Sequence, residues 1–210
     1  MSEKSKPGGS RQKNGITLIQ TGTYTGREIK RGKEGNIMEY KNMILAESRN
    51  GNTEAVKRLL EAGTDVNARN NLGDTPLMWA ARNGHTETVK LLLESSADVN
   101  ANNNYGWTAL MWAARYGHTE TVKFLLEKGA DVNRENRHGN TALLFAAYEG
   151  STEMVKLLLE AGANVNATNG EDASVLSYAY ELKDEAKRDA IIEMCWEYNA
   201  VELTGGEISN

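Results

Sequence analysis

The sequence predicts an all-α solenoid in which pairs of short helices stack in one direction, and three observations carry this expectation. Residues 107–139 superimpose on residues 74–106 with 23 of 33 positions identical. Residues 140–172 follow at the same period with looser identity, and a fixed period of this length marks a stacked-repeat architecture. Each copy holds two apolar patches at spacings of 3 and 4, the pattern of two amphipathic helices. Both helices are shorter than the ~12–15 residues that an isolated helix needs in water. Neighbouring copies must therefore bury each other's apolar faces.

Along the chain, residues 1–15 are rich in Lys, Gly, Ser and Asn. They carry too little apolar surface to offset the entropy of ordering, so disorder is expected. Residues 16–29, ITLIQTGTYTGREI, combine Thr, Ile and Tyr with partial alternation. That predicts a short strand or hairpin, broken near Gly22 and Gly26. Residues 27–39 are charged and glycine-interrupted and read as a linker, with the helical part beginning at Tyr40. Residues 1–41 thus form a basic arm. It either covers part of the first repeat or joins a partner's sheet edge or acidic surface.

The repeat domain is expected at residues 42–203, in units 42–73, 74–106, 107–139, 140–172 and 173–203, about five repeats including atypical terminal caps, with a tail at 204–210. In the first unit Gly51, Val56, Leu59, Gly63, Val66 and Asn67 stand 33 before their counterparts. Glu47 replaces Ala80 and Ala113, as suits a terminal repeat with one face in water. In the last unit Leu176 and Ala179 are in register with Leu143 and Ala146. About four extra residues follow near 182–186, and then Ile191, Ile192, Met194, Cys195, Trp196 and Ala200 resume the pattern. Lys183, Asp184, Glu185, Lys187 and Arg188 supply a solvent-facing outer side for a cap.

The second unit shows the local chemistry. Thr75 is the expected N-cap, and Pro76 takes the first helical position, where no amide bond is lost. Leu77, Ala80 and Ala81 form a buried side whose small alanines permit close helix approach. Asn83-Gly84 ends the helix, with glycine suited to positive φ. Thr86-Glu87 opens a second helix with Val89, Leu92 and Leu93 inward. Ala97-Asp98-Val99-Asn100 leaves that helix, and Asn103-Asn104-Tyr105-Gly106 makes a turn. Gly63, Gly129 and Gly162 take the left-handed position after the second helix; Ser96 holds it in this unit alone.

Composition narrows the function. The 210 residues are 40% apolar, enough for one substantial core. One cysteine, Cys195, permits neither a disulfide framework nor a cysteine zinc site. No run of about 18 apolar residues is present to span a membrane. The basic N-terminus lacks the apolar core of a secretory signal, and a reducing, cytoplasmic setting is expected. Residues 1–41 carry a net charge of +5 and the remainder −10. An acidic body disfavours phosphate binding, whereas the arm could attract an acidic surface.

These residues resemble the ankyrin repeat family. Its pattern appears as Gly73-Asp74-Thr75-Pro76-Leu77, Ala80-Ala81, Gly84-His85, Val89, Leu92-Leu93 and Ala97-Asp98-Val99-Asn100, and recurs from Gly106 and from Gly139. The resemblance covers roughly residues 42–202. It implies an ankyrin-repeat solenoid of helix-turn-helix-hairpin units. Such proteins bind other proteins through turn tips and the inner face of the first helices, and are rarely catalytic. One departure stands out: the histidine of the family's Thr-Pro-Leu-His is Met78, Met111 and Leu144 here. In the family that histidine ties neighbouring turns together by hydrogen bonds, so apolar packing is expected to substitute.

No active site can be assembled from the residues. His85 and His118, each in Gly-His-Thr-Glu, resemble part of a zinc deaminase motif, but the Cys-x-x-Cys partner is missing. Their expected task is to satisfy backbone groups between helices. No phosphate-binding glycine loop, Gly-x-Ser-x-Gly or His-Glu-x-x-His occurs. No enzyme activity, cofactor, metal or small-molecule substrate is therefore expected.

A binding surface is expected instead. Trp79, Trp112, Phe145 and Tyr178 are in register, and Arg82, Arg115, Tyr116 and Tyr148 lie three or four residues after them on the same helix side. The resemblance turns this side toward the concave groove. Tyr105, Trp107, Arg137 and His138 fall at turn tips. Trp, Tyr and Arg are the types enriched at interface hot spots. Trp79, Trp112 and Phe145 fit inter-repeat packing equally well. For Trp107 and Tyr116, truncation to alanine is expected to weaken binding by more than about 1 kcal/mol with little loss of stability. The function read from the sequence is a non-catalytic protein-binding module. Two alternatives remain: an inhibitor or immunity-type protein that blocks one enzyme, and an adaptor tethered to nucleic acid through the basic arm.

Overall fold

The computed structural model of the chain describes residues 35–198. The arm, its strand or hairpin at residues 16–29, and the tail lie outside these residues. Ten helices and no strand occur among the described residues. They are α1 (Gly35–Asn50), α2 (Thr53–Glu61), α3 (Pro76–Arg82), α4 (Thr86–Glu94), α5 (Ala109–Arg115), α6 (Thr119–Glu127), α7 (Ala142–Tyr148), α8 (Thr152–Glu160), α9 (Val175–Glu181) and α10 (Glu185–Glu197). The odd-numbered helices pack in sequence as one layer and the even-numbered helices as a second, each pair forming a hairpin. The fold is an all-α solenoid.

The first helix differs from its expected start. Helix α1 begins at Gly35, inside the segment read as a linker. From Asn36 to Asn50 no Gly or Pro interrupts the chain, so helix propagates back to that glycine.

Local chemistry explains the short inner helices. The hydroxyls of Thr75, Thr108 and Thr141 each accept from the backbone N–H three residues on, at 3.3 Å. Pro76 occupies the first turn of α3. Two alanines in each of α3, α5 and α7 are wholly buried, which lets successive inner helices pack closely. Met78, Met111 and Leu144 are buried too, so apolar contact fills the site where the family carries histidine. The turns are tied instead by backbone rungs. Asn104 donates to the Leu72 carbonyl, Arg137 to Tyr105 and Gly170 to His138, at 2.8–2.9 Å.

The outer layer has its own ties. The imidazole N–H of His85 donates to the Arg49 carbonyl at 3.0 Å, and that of His118 to the Arg82 carbonyl at 2.9 Å. Each ring thus satisfies an exposed helix-end carbonyl of the preceding repeat. Cys195 in α10 is buried, and burial pushes its thiol up to about 11. It is therefore a protonated packing group at neutral pH.

Ser96 follows α4 with φ of 69°, where Gly63, Gly129 and Gly162 adopt 85–88° with nothing near a would-be Cβ. A side chain in this left-handed region is strained. Ser96→Gly is expected to raise stability by about 1 kcal/mol. A urea midpoint no higher than that of the wild type would contradict this.

Candidate functional site

The open flank of the inner helices is built by one rule repeated at 33-residue spacing. The fourth residue of each of α3, α5, α7 and α9 is a ring: Trp79, Trp112, Phe145 and Tyr178. Three residues later on α3 and α5 stand Arg82 and Arg115, on the same side of the helix.

These groups form a single column. The Arg49 guanidinium lies 5.0 Å from the Trp79 ring centre. Arg82 lies 5.4 Å from Trp79, 4.6 Å from Trp112 and 5.5 Å from Tyr116, and donates to the Tyr116 hydroxyl at 3.3 Å. Trp107 stacks between Trp112 at 4.0 Å and Phe145 at 4.4 Å. Arg115 covers Trp107 and Phe145 at 5.6 and 5.3 Å. Each exposed cation–ring contact is worth about 0.5–1 kcal/mol, so several together hold the column in one arrangement. Tyr148 continues it, edge-on to Tyr178 at 5.5 Å. The Tyr178 hydroxyl accepts from Asn169 at 3.0 Å, and burial raises its pKa above the ordinary phenol value.

The turn tips follow a second rule. Asn70, Asn103, Asn136 and Asn169 each accept two backbone N–H groups of their own turn through the side-chain oxygen. Two of their amide nitrogens reach the preceding turn: Asn103 donates to Asp74 at 2.6 Å and Asn169 to Asn140 at 3.0 Å. The corresponding partner for Asn136 is Trp107, which has no acceptor. The buried Asn136 amide nitrogen is left without a hydrogen bond.

A family model described as ankyrin repeats in three copies matches residues 43–136, and another described as ankyrin repeats in many copies matches residues 125–179. The chain belongs to the ankyrin repeat family. No curated protein gives a significant match. Ankyrin repeats are generally protein–protein interaction modules. No described helix of this ankyrin protein is long and apolar enough to cross a membrane.

The ankyrin stack brings Trp79, Arg82, Trp107, Trp112, Arg115, Tyr116 and Phe145 into one continuous column. It leaves Tyr105, Arg137 and His138 exposed at the tips and Tyr148 exposed on α7. Phe145 is buried, at 6% exposure, so it supports the column from beneath. Trp79 and Trp112 are half-buried and join Asp74, Met78 and Arg82 around a shallow depression. Trp107 departs from the expectation that its loss would spare stability: half-buried, it has neighbouring rings on both faces. Arg49 was not among the site residues expected from the sequence. The altered first repeat hides it, yet it stands 33 before Arg82, and that spacing was the available signal.

Proposed function

We propose that this ankyrin domain is a non-catalytic module that binds a protein partner through its concave groove and turn tips. The observation that supports the reading best is a set of exposed tyrosines on a rigid frame. Tyr105, Tyr116 and Tyr148 are 49%, 47% and 56% exposed. Tyr116 lies beside the ordered Arg82–Trp112 pair. Large amphipathic rings supply contact area with few rotors to freeze, and a preformed frame loses little entropy on docking. The depression lined by Trp79, Arg82 and Trp112 offers an adjoining recess.

Tyr116→Ala tests this reading. The ring is half exposed and lies on Trp112 and against His118 at 6.1 and 6.5 Å without filling the core, so the thermal midpoint should change little. Affinity for a partner captured from the native cell should fall by more than about 1 kcal/mol. Affinity equal to wild type would remove the groove from the interface.

A further inference from the structure

We propose that the first three repeats of the groove receive an acidic segment of the partner protein, with carboxylates recurring about every third residue. The proposal rests on the protein-binding reading and adds the chemistry of the partner.

Arg49, Arg82 and Arg115 stand at 33-residue intervals on α1, α3 and α5. Among the described residues, none of the three is within ion-pair distance of a carboxylate. In the outer layer Arg58, Lys90, Lys123 and Lys156 each pair with a glutamate of their own helix, whereas Lys57 and Lys187 are not within ion-pair distance of a carboxylate among the described residues. The side-chain hydrogen bonds that Lys90 donates to Glu87 and Lys123 donates to Glu120 raise those lysine pKa values. Among the described residues, the groove therefore holds three guanidinium groups without an ion pair, on a chain whose net charge is −5. Ring contacts orient all three. Each guanidinium carries five N–H donors, and Arg82 gives one to Tyr116. The rest suit the two-pronged recognition of carboxylates.

The groove is also polar along its length. The positions after Arg115 in the same series are Tyr148 and then Glu181, and Glu149 and Glu171 are exposed at that end. Near the arginines, Asp74 is held by the amides of Asn70 and Asn103, and Glu47 on α1 is half-buried. An acidic segment thus meets attraction over α1, α3 and α5 and repulsion beyond, which sets its direction. Helices in contact lie about 8–10 Å apart. An extended polyproline-type chain returns a side chain to the same face every third residue, about 9 Å on. Single-stranded nucleic acid fits less well. Trp107 and Trp112 already stack on each other, and bases need free ring faces.

The test selects random displayed peptides of about 12 residues on the full-length chain and measures the winners by fluorescence anisotropy. Winners rich in Asp or Glu at third-residue spacing are expected. Their affinity should fall about tenfold with Arg82→Gln/Arg115→Gln and should weaken as salt rises. Arg49→Gln, which removes one contact from an exposed residue, should act in the same direction if the double variant does not fold. Winners lost with Tyr116→Ala but showing no acidic enrichment would overturn this inference and keep the groove reading. Winners indifferent to Tyr116 and to all three arginines, or no winners, would overturn both. Tighter, arginine-dependent binding of an oligothymidylate probe would overturn the choice of a protein segment.

Discussion

Gly106→Ala is expected to lower stability by about 2–5 kcal/mol, the sum of a left-handed side chain and a backbone overlap. Gly106 has φ of 81°, and its amide closes the turn onto the Asn103 carbonyl at 2.9 Å. A Cβ there would lie 2.9 Å from the Asn136 Cα and 3.0 Å from the Arg137 nitrogen. Both atoms are backbone of the next turn, held by the Arg137 N–H to Tyr105 carbonyl bond. No side-chain rotation relieves the overlap. The turns must separate, and that bond must stretch. Gly129→Ala is the control: φ is 85°, yet nothing lies within 4 Å of the added atom, so its loss should be about 1 kcal/mol. Urea unfolding of the two variants makes the comparison. Equal midpoints would show that inter-turn contact does not govern the first substitution.

Trp107→Ala is expected to cost about 2–4 kcal/mol of stability, since it removes a half-buried ring stacked on both faces. Partner affinity should fall with it, because Arg115 loses one of its two rings. Trp107→Asn separates the two effects. An asparagine here can accept from the orphaned Asn136 amide, as Asn140 accepts from Asn169. Satisfying that buried donor should return about 1 kcal/mol relative to alanine without restoring the stack. Stability should therefore rank wild type, Trp107→Asn, Trp107→Ala, while both variants bind weakly. If Trp107→Asn is no more stable than Trp107→Ala, the asparagine ladder is not the reason that Asn136 lacks a partner.

Much of the fold was legible because ankyrin chemistry is local and repeated. The threonine caps, Pro76 in the first turn, and the positive φ of Gly84 and Ser96 each depend on a few adjacent residues. The tasks of His85 and His118 were legible from their place between helices, and the structure shows both rings on the previous repeat's carbonyls. The start of α1 was not. One glycine and a charged stretch look alike in a linker and in a solvent-facing helix, and packing of α1 on α3 decides between them.

For the proposed binding surface, residue types and register could be read directly, because rings and arginines recur at the repeat length. Their mutual arrangement could not. Trp107 faces Phe145 across 38 positions, and Arg49 covers Trp79 across 30. The sequence alone determined that helix pairs stack at a fixed period and which side chains each layer presents, since local propensity and apolar spacing repeat in every unit. Only the tertiary structure decided, among the described residues, which rings stack, which arginines lie outside ion-pair distance of a carboxylate, and which amide loses its partner. Those outcomes depend on distances of a few ångströms between neighbouring repeats, which no spacing within one repeat encodes.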